Sequence, residues 1–271
     1  MYTTITKFKI PSILEDILKD LQKIGATPIL VGGSVRDYFL NIPIKDYDIE
    51  IFGINSLEII QNCLEKFGSV KLVGKSFGVL TLRVNEYDFD FALPRTETKI
   101  GLSHQDFEVI TNASLSFKEA AIRRDFTINA IGYDFFKEEF IDPFDGIEDL
   151  RTKTIKHIND KTFIEDSLRV YRAVAFASRF NFKIEEKTKE LCKQIVLKNE
   201  LKYLPKERVY EEFKKLFLKS SKPSIGFELM REIGILKYFS ELQALINCIQ
   251  EPEYHPEGDV WVHTMMALDE M

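Results

Sequence analysis

Apolar and polar positions change rhythm most sharply between Pro28 and Gly53, PILVGGSVRDYFLNIPIKDYDIEIFG. A short apolar run, Ile29 to Val31, breaks at Gly32-Gly33 and restarts at Ser34, where a helix N-cap is wanted, so the stretch reads as strand, tight turn and helix. Asn41 and Pro43 end that helix. A second strand follows from Tyr47 to Phe52. Its side chains alternate faces, which places Asp46, Asp48 and Glu50 on one side and Tyr47, Ile49 and Ile51 on the other, where they can pack on helices.

The flanking segments carry simpler patterns. Pro11 to Ile24 sets Ile13, Leu14, Ile17, Leu18, Leu21 and Ile24 on one stripe and stops at Gly25, an amphipathic helix. Asn55-Ser56 caps another, with Leu57, Ile60, Cys63, Leu64 and Phe67 on its apolar face and Gly68 at its end. Val79 to Val84 and Tyr87 to Leu93, joined by Asn85-Glu86, predict a hairpin whose second strand turns Tyr87, Phe89 and Phe91 one way and Asp88 and Asp90 the other. Glu97 to Asn112 has weak periodicity and reads as a mobile loop. Ser116 with Glu119 forms a capping box ahead of KEAAIRRDFTINAIGYD. IDPFDGIEDL then reads as strand, turn and short helix, with a hinge at Asp145-Gly146, and beyond it the pattern is almost wholly helical.

Composition narrows the class. The 271 residues can form two compact domains, and 45% hydrophobic with 30% charged is ordinary for a soluble protein. A net charge of -6 gives no overall basic footprint for nucleic acid, yet Lys187 to Lys222 holds eleven Lys or Arg against five Glu, a local +6 that serves either a solvated helical face or phosphate contacts. Cys63, Cys192 and Cys248 are far apart, without zinc spacing, and read as reduced thiols. The N-terminus lacks a continuous apolar region and no run is long enough to span a bilayer, so a cytoplasmic protein is expected.

The chemistry concentrates in the central stretch. Two carboxylates at i and i+2 of a strand sit roughly 6 to 7 Å apart at the backbone, so the oxygens of Asp46 and Asp48 can converge on Mg2+. Gly32 and Gly33 let backbone approach a polyphosphate, the following helix start favours an anion, and Arg36 would point at phosphate oxygens. The turn is neither a Walker A loop nor a GxGxxG dinucleotide turn. The competing reading is a hairpin-like turn with solvated acids. Asp90 is the candidate third carboxylate, to hold metal or act as a base, with Asp88 as a solvated neighbour.

LVGGSVRDYFL followed by KDYDIE resembles the head of the class II tRNA nucleotidyltransferases and bacterial poly(A) polymerases. DFALPRTE, RRDFTINA, Glu165-Asp166-Ser167-Leu168-Arg169 and PKERVYEE are similar to further blocks of that family in the same order. The resemblance implies an α+β fold: a polymerase-beta-like nucleotidyltransferase head with a small mixed sheet (residues 1–145), an all-helical neck for base recognition and RNA contact (146–245), and the start of an HD-type helical domain (246–271). It implies Mg2+-dependent addition of C and A from CTP and ATP to the 3′ end of tRNA, with release of pyrophosphate. Asp46 and Asp48 would hold the metal, and Gly32, Gly33, Arg36 and Arg124 the triphosphate. Asp125 and Asn129 would shape the ribose and turn region, and Asp166, Arg169 and Arg172 would hold the base.

Asp166 and Arg169, three apart, fall on one face of a helix and read either as an ion pair or as a protein template. Cytosine and adenine both present an amino donor beside a ring-nitrogen acceptor, which a carboxylate and a guanidinium satisfy together; uracil and guanine reverse the order. The family often carries another arginine one turn after the position of Arg172, and here it is Ala175. EYHPEGDVWVHTMMALDEM is similar to the opening of an HD domain, but none of His104, His157, His255 and His263 is followed by Asp, so a second, hydrolytic metal site is not expected, and the chain reads as truncated. Rival readings are a CC-adding, A-adding or poly(A)-adding member, a non-catalytic RNA-binding remnant, and an HD phosphohydrolase.

Overall fold

The computed structural model describes residues 8–73, 78–99, 101 and 107–270. These form two compact units, a head ending at Leu150 and a second unit from Arg151 onward. In the head, β1 (Thr27–Val31), β2 (Asp46–Phe52), β3 (Val70–Val73), β4 (Val79–Val84), β5 (Tyr87–Ala92), β8 (Gly132–Asp134) and β9 (Glu139–Ile141) make one mixed sheet. The hairpin strands β6 (Arg95–Lys99) and β7 (Phe107–Thr111) pair only with each other. The sheet order is β3-β4-β5-β2-β1-β8-β9, with β2 and β5 parallel and the other neighbours antiparallel. Helices α1 (Ser12–Lys23), α2 (Gly33–Phe39), α3 (Leu57–Leu64), α4 (Phe117–Ala121) and α5 (Gly146–Arg151) accompany it.

The apolar periodicities account for the core. Leu14, Ile17, Leu18 and Leu21 of α1 are buried, and α1 lies against β1 and α3. Ile13 is only half-buried and Ile24 is exposed, so the stripe is narrower than the sequence implies. On β2 and β5, Tyr47, Ile49, Ile51, Phe89 and Phe91 are all buried on the expected face.

Several local expectations need correction. Gly32, with φ 70°, caps α2, and Ser34 lies inside the helix with its hydroxyl donating to the Val31 carbonyl. Ser56 caps α3 as expected, but the side chain of Asn55 instead accepts from the backbone of Ala113. Within the segment expected as a loop from Glu97, residues 97–99 and 107–111 join the β6–β7 ladder, whose residues lack the alternation that marks a strand with one buried face. His104 lies outside the described residues. The Ser116–Glu119 capping box is present, but α4 ends at Ala121, so Arg123 and Arg124 lie beyond the helix.

The second unit is helical apart from a short parallel pair, β10 (Thr154–Ile155) and β11 (Lys183–Ile184). Its helices are α6 (Asp160–Glu165), α7 (Leu168–Phe180), α8 (Glu186–Leu197), α9 (Lys206–Lys219), α10 (Pro223–Ile233), α11 (Ser240–Gln243) and α12 (Val260–Asp269). Helix α7 is central, buried along most of its length and packed on α9 and α10. The last helix is tied back by Asp269, which accepts from the backbone and hydroxyl of Ser224, and by the buried Trp261, whose indole donates to Glu228.

Gly146 shows how tightly the head is assembled. A Cβ there would stand 2.3 Å from the carbonyl oxygen of Thr127 and 2.9 Å from the side chain of Ile131. Backbone cannot rotate aside as a side chain can. Gly146→Ala should therefore destabilise the head by about 1–3 kcal/mol, read as a lower urea midpoint at unchanged slope.

Candidate active site

Parallel pairing of β2 and β5 sets Asp48 opposite Asp90 and Asp46 opposite Asp88. All four carboxylates therefore rise from one face of the sheet. Asp90 is held by the hydroxyl of Thr81, which donates to its Oδ1 at 2.6 Å from the neighbouring β4. Asp88 instead stands at the solvent-exposed end with Arg83, 3.6 Å away. Asp48 is open to solvent yet crowded by protein, and that desolvation pushes its carboxyl above the ordinary value. Arg124 pulls it back, while the charges of Asp90 and Asp46 add to the rise. Among the described residues these carboxylates do not gather three ligand atoms within 4.8 Å, as expected of like charges facing one another.

Gly32 separates this acidic face from a guanidinium. A Cβ on it would lie 3.1 Å from Asp48 Oδ2 and 3.2 Å from Arg124 Nη1, so the missing side chain keeps a gap open between opposite charges. Its positive φ reinforces the requirement for glycine. Gly33 follows as the first residue of α2. An all-oxygen donor set beside a gap of this kind suits a hard divalent cation.

Arg36 does not face outward. It is 5% exposed, pairs with Asp37 at 2.6 Å and donates to Asn129 Oδ1 at 2.7 Å. Asn129 in turn donates to Asp125, which also accepts the backbone N–H of Phe126. Arg36, Asn129 and Asp125 thus form a buried polar chain fixing the turn behind Arg124, while Arg36 Nη2 stays 3.5 Å from the place of a Gly33 Cβ. Arg124 itself donates to the Asn129 carbonyl at 3.3 Å and lies 3.5 Å from Glu50.

Glu50 was placed on the acidic face by its strand parity, but nothing in the local pattern singles it out for a special fate. It is 1% exposed and accepts from Arg123 at 2.9 Å. Burial works against its charge, but Arg124 and Arg123 outweigh burial and hold its carboxyl below the ordinary value.

In the second unit, Asp166 is not on a helical face with Arg169. It has extended backbone after α6, and its carboxylate accepts the N–H of Leu168 at the start of α7. Arg169 is 8% exposed, and its N–H bonds the Asp166 carbonyl. Arg172 is half-exposed, lies over the ring of Phe176 and stands 3.8 Å from the buried Glu212. Ala175 is buried. Farther along, His255, Glu257 and His263 bring ligand atoms within 4.8 Å of one another, a clustering that the missing His-Asp pair did not foreshadow.

Fold and site together define the nucleotidyltransferase class. The model of the poly A polymerase head domain matches residues 29–156, and that of a probable RNA and SrmB-binding site of polymerase A matches 181–246. The chain belongs to the family of CCA-adding enzymes and poly(A) polymerases. It is 38% identical over 245 residues to a multifunctional CCA protein of Pseudoalteromonas atlantica, with 89% of this chain and 58% of that protein covered. A solved CCA-adding enzyme with ATP superposes with TM-score 0.70 at 28% identity, over 92% of this chain and 57% of that one. The Thermotoga maritima CCA-adding enzyme complexed with tRNA also gives 0.70, at 27% identity, over 92% and 56%. The chain thus spans little more than half the length of the curated relatives it matches.

The raised Asp48 carboxyl has a testable sign. A group whose folded value exceeds its ordinary 3.8 favours folding when protonated, and that contribution fades as pH rises past the folded value. In chelator, Asp48→Asn should melt above wild type near neutral pH, the gap closing as pH falls towards 4. Melting curves taken across that range check it, and parallel curves would exclude a strained carboxylate.

Proposed function

We propose that this chain adds C and A to the 3′ end of tRNA from CTP and ATP, without a nucleic-acid template and with release of pyrophosphate. The observation that carries this is the register of Asp48 with Asp90 beside the gap that Gly32 leaves towards Arg124. The names of the similar proteins, with a curated relative called a CCA protein and solved neighbours holding ATP and tRNA, support it.

In this reading Asp46 and Asp48 hold Mg2+, which when bound neutralises phosphate charge. Gly32 and Gly33 admit the triphosphate backbone-close, and Arg124 donates to its oxygens with a planar fork suited to phosphate. Asp90, oriented by Thr81, accepts the proton of the tRNA 3′-hydroxyl. The new bond joins that oxygen to the α-phosphorus, and the bond from the α-phosphorus to the bridging oxygen breaks as pyrophosphate leaves. Asp166, held by the Leu168 N–H, accepts the amino group of cytosine or adenine while Arg169 donates to the ring nitrogen, and Arg172 completes the base contacts. Lysines of the 187–222 segment meet tRNA phosphates. Such a reaction belongs in the cytoplasm, and no described helix is long and apolar enough to cross a membrane.

Supplying tRNA that lacks its 3′ end with labelled CTP or ATP and Mg2+, then sequencing the products, separates CCA addition from addition of A alone or of a poly(A) tail. Wild type should add C, C and A, and Asp48→Ala should add nothing while keeping its melting point within a few degrees. Replacing Asp166 or Arg169 with Ala should lower the preference for CTP over UTP by roughly tenfold to a hundredfold in kcat/KM, the worth of one lost base contact. An unchanged ratio in both variants would remove the base-reading role.

A further inference from the structure

We infer that Glu50 is a positioning residue for triphosphate recognition, acting through Arg124; this rests on the nucleotidyltransferase reading above. Glu50 sits one strand repeat beyond Asp48 on β2 but is buried, and its two oxygens are divided between two guanidiniums. Oε1 takes Arg123 at 2.9 Å and Oε2 faces Arg124 at 3.5 Å. Arg123 reaches onward to Glu97 at 3.5 Å, and Glu97 is clamped by Arg95 at 2.8 Å. Five charges therefore run in series from β2 through the turn after α4 to β6.

The chain of contacts has a direction that matters for the site. Arg124 Nη2 is the end anchored on Glu50, while Nη1 donates to the Asn129 carbonyl at 3.3 Å and lies 3.2 Å from the place of a Gly32 Cβ, beside Asp48. Anchoring one end of a planar fork fixes where the other end points. Without Glu50, Asp48 still faces Arg124 across the Gly32 gap, and the guanidinium would turn towards it and close the space a phosphate needs. Arg123 serves the same arrangement from the other side, since it balances the second oxygen of Glu50 and leaves Arg124 only one of the two. A buried carboxylate with a single arginine would instead draw that arginine into a bidentate pair.

The consequence is specific to the number of phosphates, because Arg124 meets the triphosphate and not the base. Affinities of CTP and CMP, measured by calorimetry on the whole chain, give the ratio to follow. Glu50→Gln should lower the preference for CTP over CMP about tenfold, as expected for one mis-set charged contact. In turnover the change should appear in KM for CTP, with kcat altered much less.

Since Glu50→Gln leaves a buried arginine short of its charge partner, the double variant Glu50→Met with Arg123→Met provides the second measurement. Replacing a buried ion pair by apolar side chains of similar size is often neutral for stability. The double variant should therefore melt near wild type and still show the lowered CTP preference. If its CTP preference returns with its melting point, or if neither variant changes the ratio, Glu50 only supports the fold and the inference is overturned. The ratio is an affinity, so absence of transfer by the wild type would count against the transfer reading alone, while the CTP-over-CMP ratio would still decide the role of Glu50.

Discussion

The parallel pairing of β2 with β5 is the constraint from which the head takes its form. It places like charges side by side, Asp48 against Asp90, at the strand spacing of about 4.8 Å. The repulsion from the charge of Asp90 accordingly adds to what raises the Asp48 carboxyl. The opposite face repays it: Phe89 and Phe91 are fully buried, Tyr47 packs 5.8 Å from Phe89, and each such side chain contributes about 1.5–3 kcal/mol. One strand pair is thus both the centre of the core and the carrier of an unfavourable acidic face, and alternation at period two is what lets it be both.

The arginines around this face are divided by what they border. Arg36 is sealed beneath the turn and spends its donors on Asp37 and Asn129. Arg123 lies in an ion-pair series with Glu50 and Glu97. Arg124 alone of the three borders the space beside Gly32. A guanidinium largely removed from water must have its charge balanced in place, and Arg124 does so through Glu50 on one side while its other end borders the gap.

Much of this architecture is legible in the chain because it is local. The apolar stripe of α1, the capping box at Ser116, the Asn85 turn and the two-faced character of β2 and β5 are set by spacings of two to four residues. What was not legible depends on partners far away. The β6–β7 ladder closes over residues of no marked periodicity, and β3 is a largely exposed edge strand of Val70, Lys71, Leu72 and Val73, too short to show a period. Glu50 has the parity of Asp46 and Asp48, and only arginines more than seventy positions later distinguish it. The same holds for Arg36, whose partner Asn129 is 93 residues away. Asp166 was misplaced for the opposite reason: an acid three residues before an arginine looks like a helical pair, but Asp166 precedes the helix and accepts from its first N–H.

Helix α7 shows how packing limits what such a surface can offer. Ala173, Val174, Ala175 and Ala177 are buried, in a helix that packs on α9 and α10. An arginine at position 175 would have to bury its guanidinium or push its neighbours aside, at a cost of several kcal/mol either way. The charged groups of α7 are therefore confined to Arg169, Arg172 and Arg179. Of these, Arg172 is already oriented, laid over Phe176 and facing the buried carboxylate of Glu212, which Lys215 also holds at 2.7 Å. A guanidinium stacked on a ring and tethered by an ion pair loses little further freedom when it meets a planar base, so close packing at Ala175 and pre-orientation at Arg172 are two aspects of one helix surface.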